Sequence, residues 1–530
     1  MLILKKNFLS IFLFLYLTIG SFASINTGIS FDEKYEESNW KFNTTLSKDL
    51  TSHIFLNKTL DQNLQQEYKS YIGYGIGFQI VSQPIQFLLK DLLIKNKKIS
   101  SYGAHLVSKH FVVFLFFFIS GIFFYLILKK IIKNKFFCSF STIIYLLYPY
   151  LFGQALFSPK DVPFMSVWLV CTYLCCNIFE KLLEEKKITF SLILIFSLIT
   201  SYLLSIRVAG VLILIQYFLA LVIFLNIQKI NIFFFIKKFN LQILVFFISI
   251  ILFTLLFYPM FWLNPLLIFD AINIMSQHFN NVCTNTLGTC MYSQNLPSTY
   301  IPIWLSVKLP LIILIGLFFI PFTEKKIFEN KQNNIFFGSI LGITIIIPLI
   351  LIFRKVHLYD ELRQVMFLIP LFFILGLVSL YIFSKKIYYT LGILSVSLFL
   401  YENIKINPYQ YVWFNLPSRY MDLTKNFELE YQGLSGKEIA KFLSTSSIKN
   451  LCILANPIHG VRPFLNPEDF KCFDIWQKID TDYKRPFLAV QNVRNIKKGK
   501  PYKCEAIYES GFKLLLHKKR FITGKLLKCD

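Results

Sequence analysis

"HFVVFLFFFISGIFFYLIL", residues 110–128, is followed at once by "KKIIKNK", residues 129–135. The first stretch holds no acid, lysine or arginine and is long enough to cross about 30 Å of hydrocarbon as a helix. The second is the lysine-rich loop expected on the cytoplasmic side of such a helix. The same alternation recurs along the chain. Eleven apolar runs of this kind lie at 7–23, 110–128, 137–156, 163–179, 189–206, 209–226, 241–262, 302–322, 334–353, 365–383 and 388–402. Composition agrees: 55% of the 530 residues are hydrophobic, 59 are Phe and mean hydropathy is +0.54, more apolar than a soluble core requires. The expected fold is an all-α polytopic membrane protein of about eleven transmembrane helices.

The formal charge of +25 raises the question of nucleic acid. The basic residues, however, stand in short clusters between apolar runs rather than along one surface, so they read as topology signals. With Lys5 and Lys6 inside, the cytoplasmic loops are 129–135, 180–187, 228–238, 323–331 and 384–386, and each carries lysine. The opposite face then receives 25–109, 157–164, 205–210, 263–301, 354–363 and everything after about 403. The first run also has a signal-peptide reading, because Lys5, Lys6 and "GSFAS" fit a cleavage site. Retention as a first helix is expected, and either reading leaves the residues after it outside the cytoplasm.

Four parts follow: a first helix (1–24), a long outer loop (25–109), a helical bundle (110–403) and an outer C-terminal domain (404–530). The outer loop contains "LDQNLQQEYKSYIGYGIGFQIVSQPIQFLLKDLLI", residues 60–94, whose mixed helical spacing predicts one or two interfacial helices. Its glycines lack the preceding strand that would make them a phosphate loop. Short runs such as "NLCILAN", "FLAVQNV" and "KLLLHKKRF" predict strands in the tail, hence a small α/β domain. Cys283, Cys290, Cys452, Cys472, Cys504 and Cys529 fall on the outer side, where disulfides persist, with Cys283 to Cys290 a natural local bridge. Cys138, Cys171, Cys175 and Cys176 lie within runs and read as core residues. No histidine set beside them has metal-ligand spacing.

Unusual charges gather on that outer face. Asp32 and Glu33 stand in "GISFDEKYEES", residues 28–38, with Glu36 and Glu37 beyond them; Asp32 reads either as a solvated loop carboxylate or as a base held against a substrate. Solvation explains Glu36 and Glu37 most simply. Lys160 and Asp161 occupy the tight turn "FSPKDVPF", either as a mutual ion pair closing a hairpin or as site residues. Arg207, between "YLLSI" and "VAGVLIL", is the charge most deeply framed by apolar sequence, suited to gripping a phosphate or to pairing with an acid. "HLYDELR" brings His357, Asp360 and Arg363 just before a run, for capping and anchoring or for chemistry.

An acidic pair after the first run, Lys160-Asp161-Val162-Pro163 between the third and fourth, and Arg207-Val208-Ala209-Gly210 two runs later together resemble the GT-C glycosyltransferases. The branch they resemble is family 39, with protein O-mannosyltransferases and the aminoarabinose transferases of lipid A. "LYDELRQVMFLIP" (358–370) and "NPYQYVWFN" (407–415) look like signatures of its bacterial members, and the likeness spans most of residues 1–415. Asn407 stands where a histidine is expected, and "LPSR" lacks the usual glycines, so that segment is a family marker without an assigned role.

The resemblance implies an inverting transfer of a sugar from a polyprenyl-phosphate donor to a hydroxyl of a glycan, lipid or protein. It would run on the outer face of a bacterial plasma membrane. It implies Asp32 as general base with Glu33 completing the pair. Lys160 and Arg207 would bind phosphate with Arg363 in reserve, and Asp161 and His357 would hold substrate. No metal or other cofactor is expected, and no nucleic acid. Two other readings stand beside it: a transporter or lipid flippase, which would need charges near the bilayer midplane and repeated halves, and an anchored binding protein acting through its tail.

Overall fold

The computed structural model describes residues 2–56, 59, 71–96, 99–262, 264–277, 279, 281–476, 485–492 and 503–530. Among the described residues, seven helices are long and apolar enough to cross a membrane: Ser101–Ile131, Asp161–Leu183, Val208–Gln228, Ile232–Phe257, Lys331–Phe353, Arg363–Phe383 and Lys385–Lys405. Two bent pairs raise the number to nine if each counts as one span. The expected runs 7–23 and 189–206 form the shorter apolar helices Phe8–Ser24 and Phe190–Ile206. The chain is a multi-pass helical membrane protein.

Proline explains both bends. Lys135–Leu147 and Pro149–Ala155 meet at 63°, and Tyr300–Lys308 and Leu311–Phe318 meet at 119° around Pro310. A proline ring removes a helical N–H and pushes the preceding residue out of the α region. The expected single run 302–322 is therefore broken. A second departure concerns the loop expected at 228–238: Ile232–Phe257 already contains Lys237 and Lys238, with a kink at Phe239. The Asn231 side chain accepts from Phe233 N and starts this helix early.

Close backbone approach ties the middle of the bundle. A Cβ on Gly316 would sit 2.0 Å from the Gly376 carbonyl oxygen, so only glycine lets these two helices meet there. At the lysine-rich end, Lys130 pairs with Glu180, and Gln332 Nε2 donates to Glu180 Oε1 at 2.9 Å. Residues in, or directly after, three loops assigned to one side thus converge.

On the other side the outer loop supplies helices Glu33–Leu56 and Gly77–Asn96. Residues 60–70, part of the stretch expected to be interfacial helix, lie outside the described residues. Strands β1 (Cys283–Thr286) and β2 (Thr289–Tyr292) form a hairpin bridged by Cys283–Cys290. It leans on the tail through Asn285 N, which donates to Glu428 Oε2 at 3.1 Å.

The tail holds β3 (Cys452–Ala455), β4 (Cys472–Ile475), β5 (Phe487–Asn492), β6 (Cys504–Phe512) and β7 (Phe521–Cys529) in the order β4-β3-β5-β7-β6. β3 runs parallel to β4 and β5, and β7 antiparallel to β5 and β6. Helix Ser435–Thr445 covers this sheet through Ile439, Ala440 and Leu443, which pack with Ile453, Leu488 and Leu526. Disulfides Cys452–Cys472 and Cys504–Cys529 link neighbouring strands, while the four cysteines within helices remain free and buried. "KLLLHKKRF" departs from expectation: only Phe521 enters a strand, and 513–520 is the connection from β6 to β7.

The tail also grips the start of the outer loop. Phe31 N donates to Gln432 O at 2.8 Å, His459 Nε2 lies 3.0 Å from Ser30 O, and Lys437 Nζ donates to Asn26 O at 2.5 Å.

Candidate active site

Four charged residues far apart in sequence meet at one end of the helical bundle. Asp32 directly precedes Glu33–Leu56, Asp161 opens Asp161–Leu183, Arg207 fills the break after Phe190–Ile206, and Arg363 opens Arg363–Phe383. Each sits at a terminus, where a charge reaches water or ligand without crossing hydrocarbon.

Arg363 is the hub. Its guanidinium donates to Asp32, to Asp161 Oδ2 from Nε at 2.6 Å, and to Asp360 Oδ2 from Nη1 at 3.3 Å. Arg207 donates to the other Asp161 oxygen, Oδ1, while Oδ2 also accepts from Ser158 Oγ at 3.2 Å. The Asp161 carboxylate, fully enclosed, thus holds two guanidiniums side by side. Arg207 makes only this one side-chain hydrogen bond among the described residues, leaving most of its five N–H donors available.

Lys160 and Asp161 do not pair with each other. Lys160 Nζ donates to Glu36 Oε1 at 2.8 Å and lies 4.3 Å from the Tyr74 ring centre, while Glu36 Oε2 accepts from Gln79 Nε2 at 2.6 Å. Glu36 and Glu37, expected to be solvated, are buried. Glu37 lies 3.1 Å from His105 and 3.8 Å from Lys109. Burial opposes its charge, but these partners and Lys41 outweigh it and bring the carboxyl down to about 2.

Glu33 stands apart from Asp32. Its Oε1 accepts from Ser30 N at 2.6 Å, as in a helix-capping box, and its Oε2 lies 3.0 Å from His110 Nε2, with both side chains fully buried. Asp32 keeps 31% of its side chain exposed and is the most open carboxylate of the cluster, against 0% for Asp161, 6% for Asp360 and 7% for Glu36. Desolvation by the surrounding protein raises the Asp32 pKa; Arg363 opposes this, and Asp161, Asp360 and Glu36 reinforce it. His357 is not joined to the cluster: its backbone N donates to Ser276 O, and its Nδ1 has no hydrogen-bond partner among the described residues.

A buried pair that the sequence did not announce supports the strap carrying Arg363. Glu361 Oε2 lies 2.9 Å from Lys308 Nζ, both wholly enclosed, with the Phe414 ring 4.0 Å from the ammonium. Burial pushes the Glu361 carboxyl up to about 8 despite Lys308. Asp360 and Glu361 both hold left-handed backbone, φ +54° and +65°, a costly conformation for residues with a Cβ. The pair and the bond from Asp360 N to Thr284 Oγ1, 3.0 Å, keep it in place. One signal was present: Lys308 interrupts an otherwise apolar run.

Beside this strap, a cavity of about 280 Å³ lies between residues 293–301 and the end of Lys331–Phe353. Leu296, Ile301, Leu351 and Ile352 give it apolar walls, with Lys355 and Gln294 among its polar lining.

No family model matches this chain, and no curated protein matches it. Among solved structures, the chain is similar to ArnT from Cupriavidus metallidurans bound to undecaprenyl phosphate, at 10% identity and a TM-score of 0.43, over 85% of this chain and 97% of that one.

Proposed function

We propose that this protein is a membrane glycosyltransferase that moves a sugar from a polyprenyl-phosphate donor to an acceptor hydroxyl on the outer face, with inversion and with Asp32 as general base. The observation that carries the proposal is the most open carboxylate of the cluster, Asp32, held by Arg363 beside a second guanidinium with donors to spare. The sequence motifs around these residues support the same reading.

In this reaction the acceptor oxygen forms a bond to the anomeric carbon as its proton passes to Asp32. The bond from that carbon to the phosphate oxygen breaks, and the electron pair leaves with the lipid phosphate. Arg207 receives the growing negative charge, with Arg363 and Lys160 alongside; cations placed in advance need no reorganisation as charge develops. Asp161 aligns the two guanidiniums, and Glu33 holds the turn that presents Asp32. Neutralisation by cations serves the leaving phosphate without a metal. A transporter would place its charges along a path through the bilayer, whereas these cluster at helix ends.

Arg207→Ala is expected to lower transfer from a polyprenyl-phosphate-linked sugar by 10²- to 10³-fold, about 3 to 4 kcal/mol, as loss of one charge-stabilising donor does elsewhere. The check is transfer by purified variant with unchanged thermal unfolding; near-normal transfer removes Arg207 from the site. The raised Asp32 pKa sets the pH dependence. The base works ionised, so activity is present above its pKa and disappears as pH falls through it. The acid limb of the rate profile is accordingly expected above the ordinary aspartate value of about 3.9. A limb at or below that value contradicts the assignment.

A further inference from the structure

The connection between β6 and β7 presents large apolar side chains to the outside on a basic background. Leu515 and Leu516 are 38% and 64% exposed, and beside them Tyr420 and Met421 are 85% and 38% exposed. The two segments are fastened together: Arg419 Nη1 donates to Leu515 O at 3.0 Å, and Lys519 Nζ pairs with Asp422 Oδ2 at 2.6 Å. Lys513, Lys518, Lys519 and Arg520 are all exposed around the leucines, and Asp422 is the one acid among residues 419–422 and 513–520.

The tip is also supported from beneath. His517 packs on Phe521 at 4.6 Å between ring centres, Phe521 on Phe512 at 5.3 Å, and Phe512 on Tyr409 at 5.4 Å. Leu516 adopts left-handed backbone, φ +63°, which an exposed leucine gains nothing from in water. The fold holds this side chain outward.

Position identifies what it meets. Arg419, which carries Leu515, is bound to Glu402 in the last turn of Lys385–Lys405. On that same turn Leu400, Tyr401 and Ile404 are 46%, 44% and 77% exposed, the surface of a span toward lipid. The tip therefore stands beside the end of a membrane helix. Apolar groups ringed by lysine and arginine at that level match a leaflet: hydrocarbon for the leucines, anionic headgroups for the cations.

We propose that residues 513–520, with Tyr420 and Met421, form a membrane-inserted anchor that seats the C-terminal domain on anionic lipid of the outer-facing leaflet. The anchor fixes the domain at two points, the covalent end of the last span and this tip. It does not depend on what the site below catalyses.

The test uses the full chain in lipid nanodiscs, carrying a thiol-reactive fluorophore on Leu516→Cys or, separately, on Tyr420→Cys. The four native free thiols are buried and the other six cysteines are in disulfides, so labelling is selective. With anionic phosphatidylglycerol discs, lipids brominated on their acyl chains are expected to cut emission on the order of twofold, because interfacial groups sit at acyl-boundary depth. Aqueous iodide is expected to have little effect, and zwitterionic discs to weaken the bromolipid quenching. Strong iodide quenching without a bromolipid effect at both positions overturns the anchor. Equal quenching in both lipids overturns the part assigned to the cations.

Discussion

Asp32→Asn is expected to lower sugar transfer by 10² to 10⁴-fold, the usual range for a lost general base. Asparagine keeps the size of the side chain and can still accept from Arg363 through its amide oxygen, so the ring of charges around Asp161 keeps its shape. What disappears is the ability to take the acceptor's proton. The loss should therefore fall on kcat, with binding of the polyprenyl-phosphate donor close to that of the parent protein. Substituting a carboxylate held against a guanidinium also relieves the desolvation that raises its pKa, so a folding defect is not expected. Full activity in this variant, measured with single-turnover transfer, would falsify the assignment of Asp32 as base. Loss of donor binding with kcat intact would instead make Asp32 a binding residue.

The largest expected effect on stability lies elsewhere, at Arg419→Met. Arg419 and Glu402 are both wholly enclosed, and Nη2 lies 2.9 Å from Oε2. Glu402 also accepts from Trp413 Nε1, and Arg419 donates to the carbonyls of Phe414 and Leu515. Removing the cation leaves the buried Glu402 carboxylate without its charged partner and the Phe414 and Leu515 carbonyls without their donor. Breaking a buried pair from one side costs about 3 to 5 kcal/mol, whereas removing both partners is often nearly neutral. The single variant should unfold at markedly lower temperature in detergent, and Arg419→Met combined with Glu402→Leu should recover much of the difference. An unchanged melting profile for the single variant would mean that the bridge joins the last span and the tail without stabilising either.

Much of the architecture was legible because membrane insertion leaves a strong mark: apolar runs of fixed length with lysines at alternate ends. Each expected run lies mostly in helix. Where the reading failed, the cause was local. Pro149 and Pro310 bend runs that composition treats as continuous, and the Asn231 cap begins a helix inside a segment taken for loop. Asp161, Arg207 and Arg363 stood out in the sequence because each is a charge beside a hydrophobic run, and Asp32 because it opens the acidic pair after the first run; the structure brings all four within one network. Glu36 and Glu37 did not stand out, because their partners Lys160, His105 and Lys109 lie far along the chain. Adjacency misled in the opposite way for Glu33: next to Asp32 in sequence, it turns to His110 in space. His357 shared a short motif with Arg363 and yet remains outside its network.

In the hub, Asp32, Asp161, Arg207 and Arg363 each stand at the terminus of a different helix, and this has a consequence for how the protein can change. Lengthening any one of these helices by a single residue between the bundle and its end advances that end by about 1.5 Å and turns it through about 100°. The charge at its tip would swing away from the others. Exchanges among lipid-facing side chains leave that geometry untouched, whereas a single-residue insertion or deletion within any of these four helices does not.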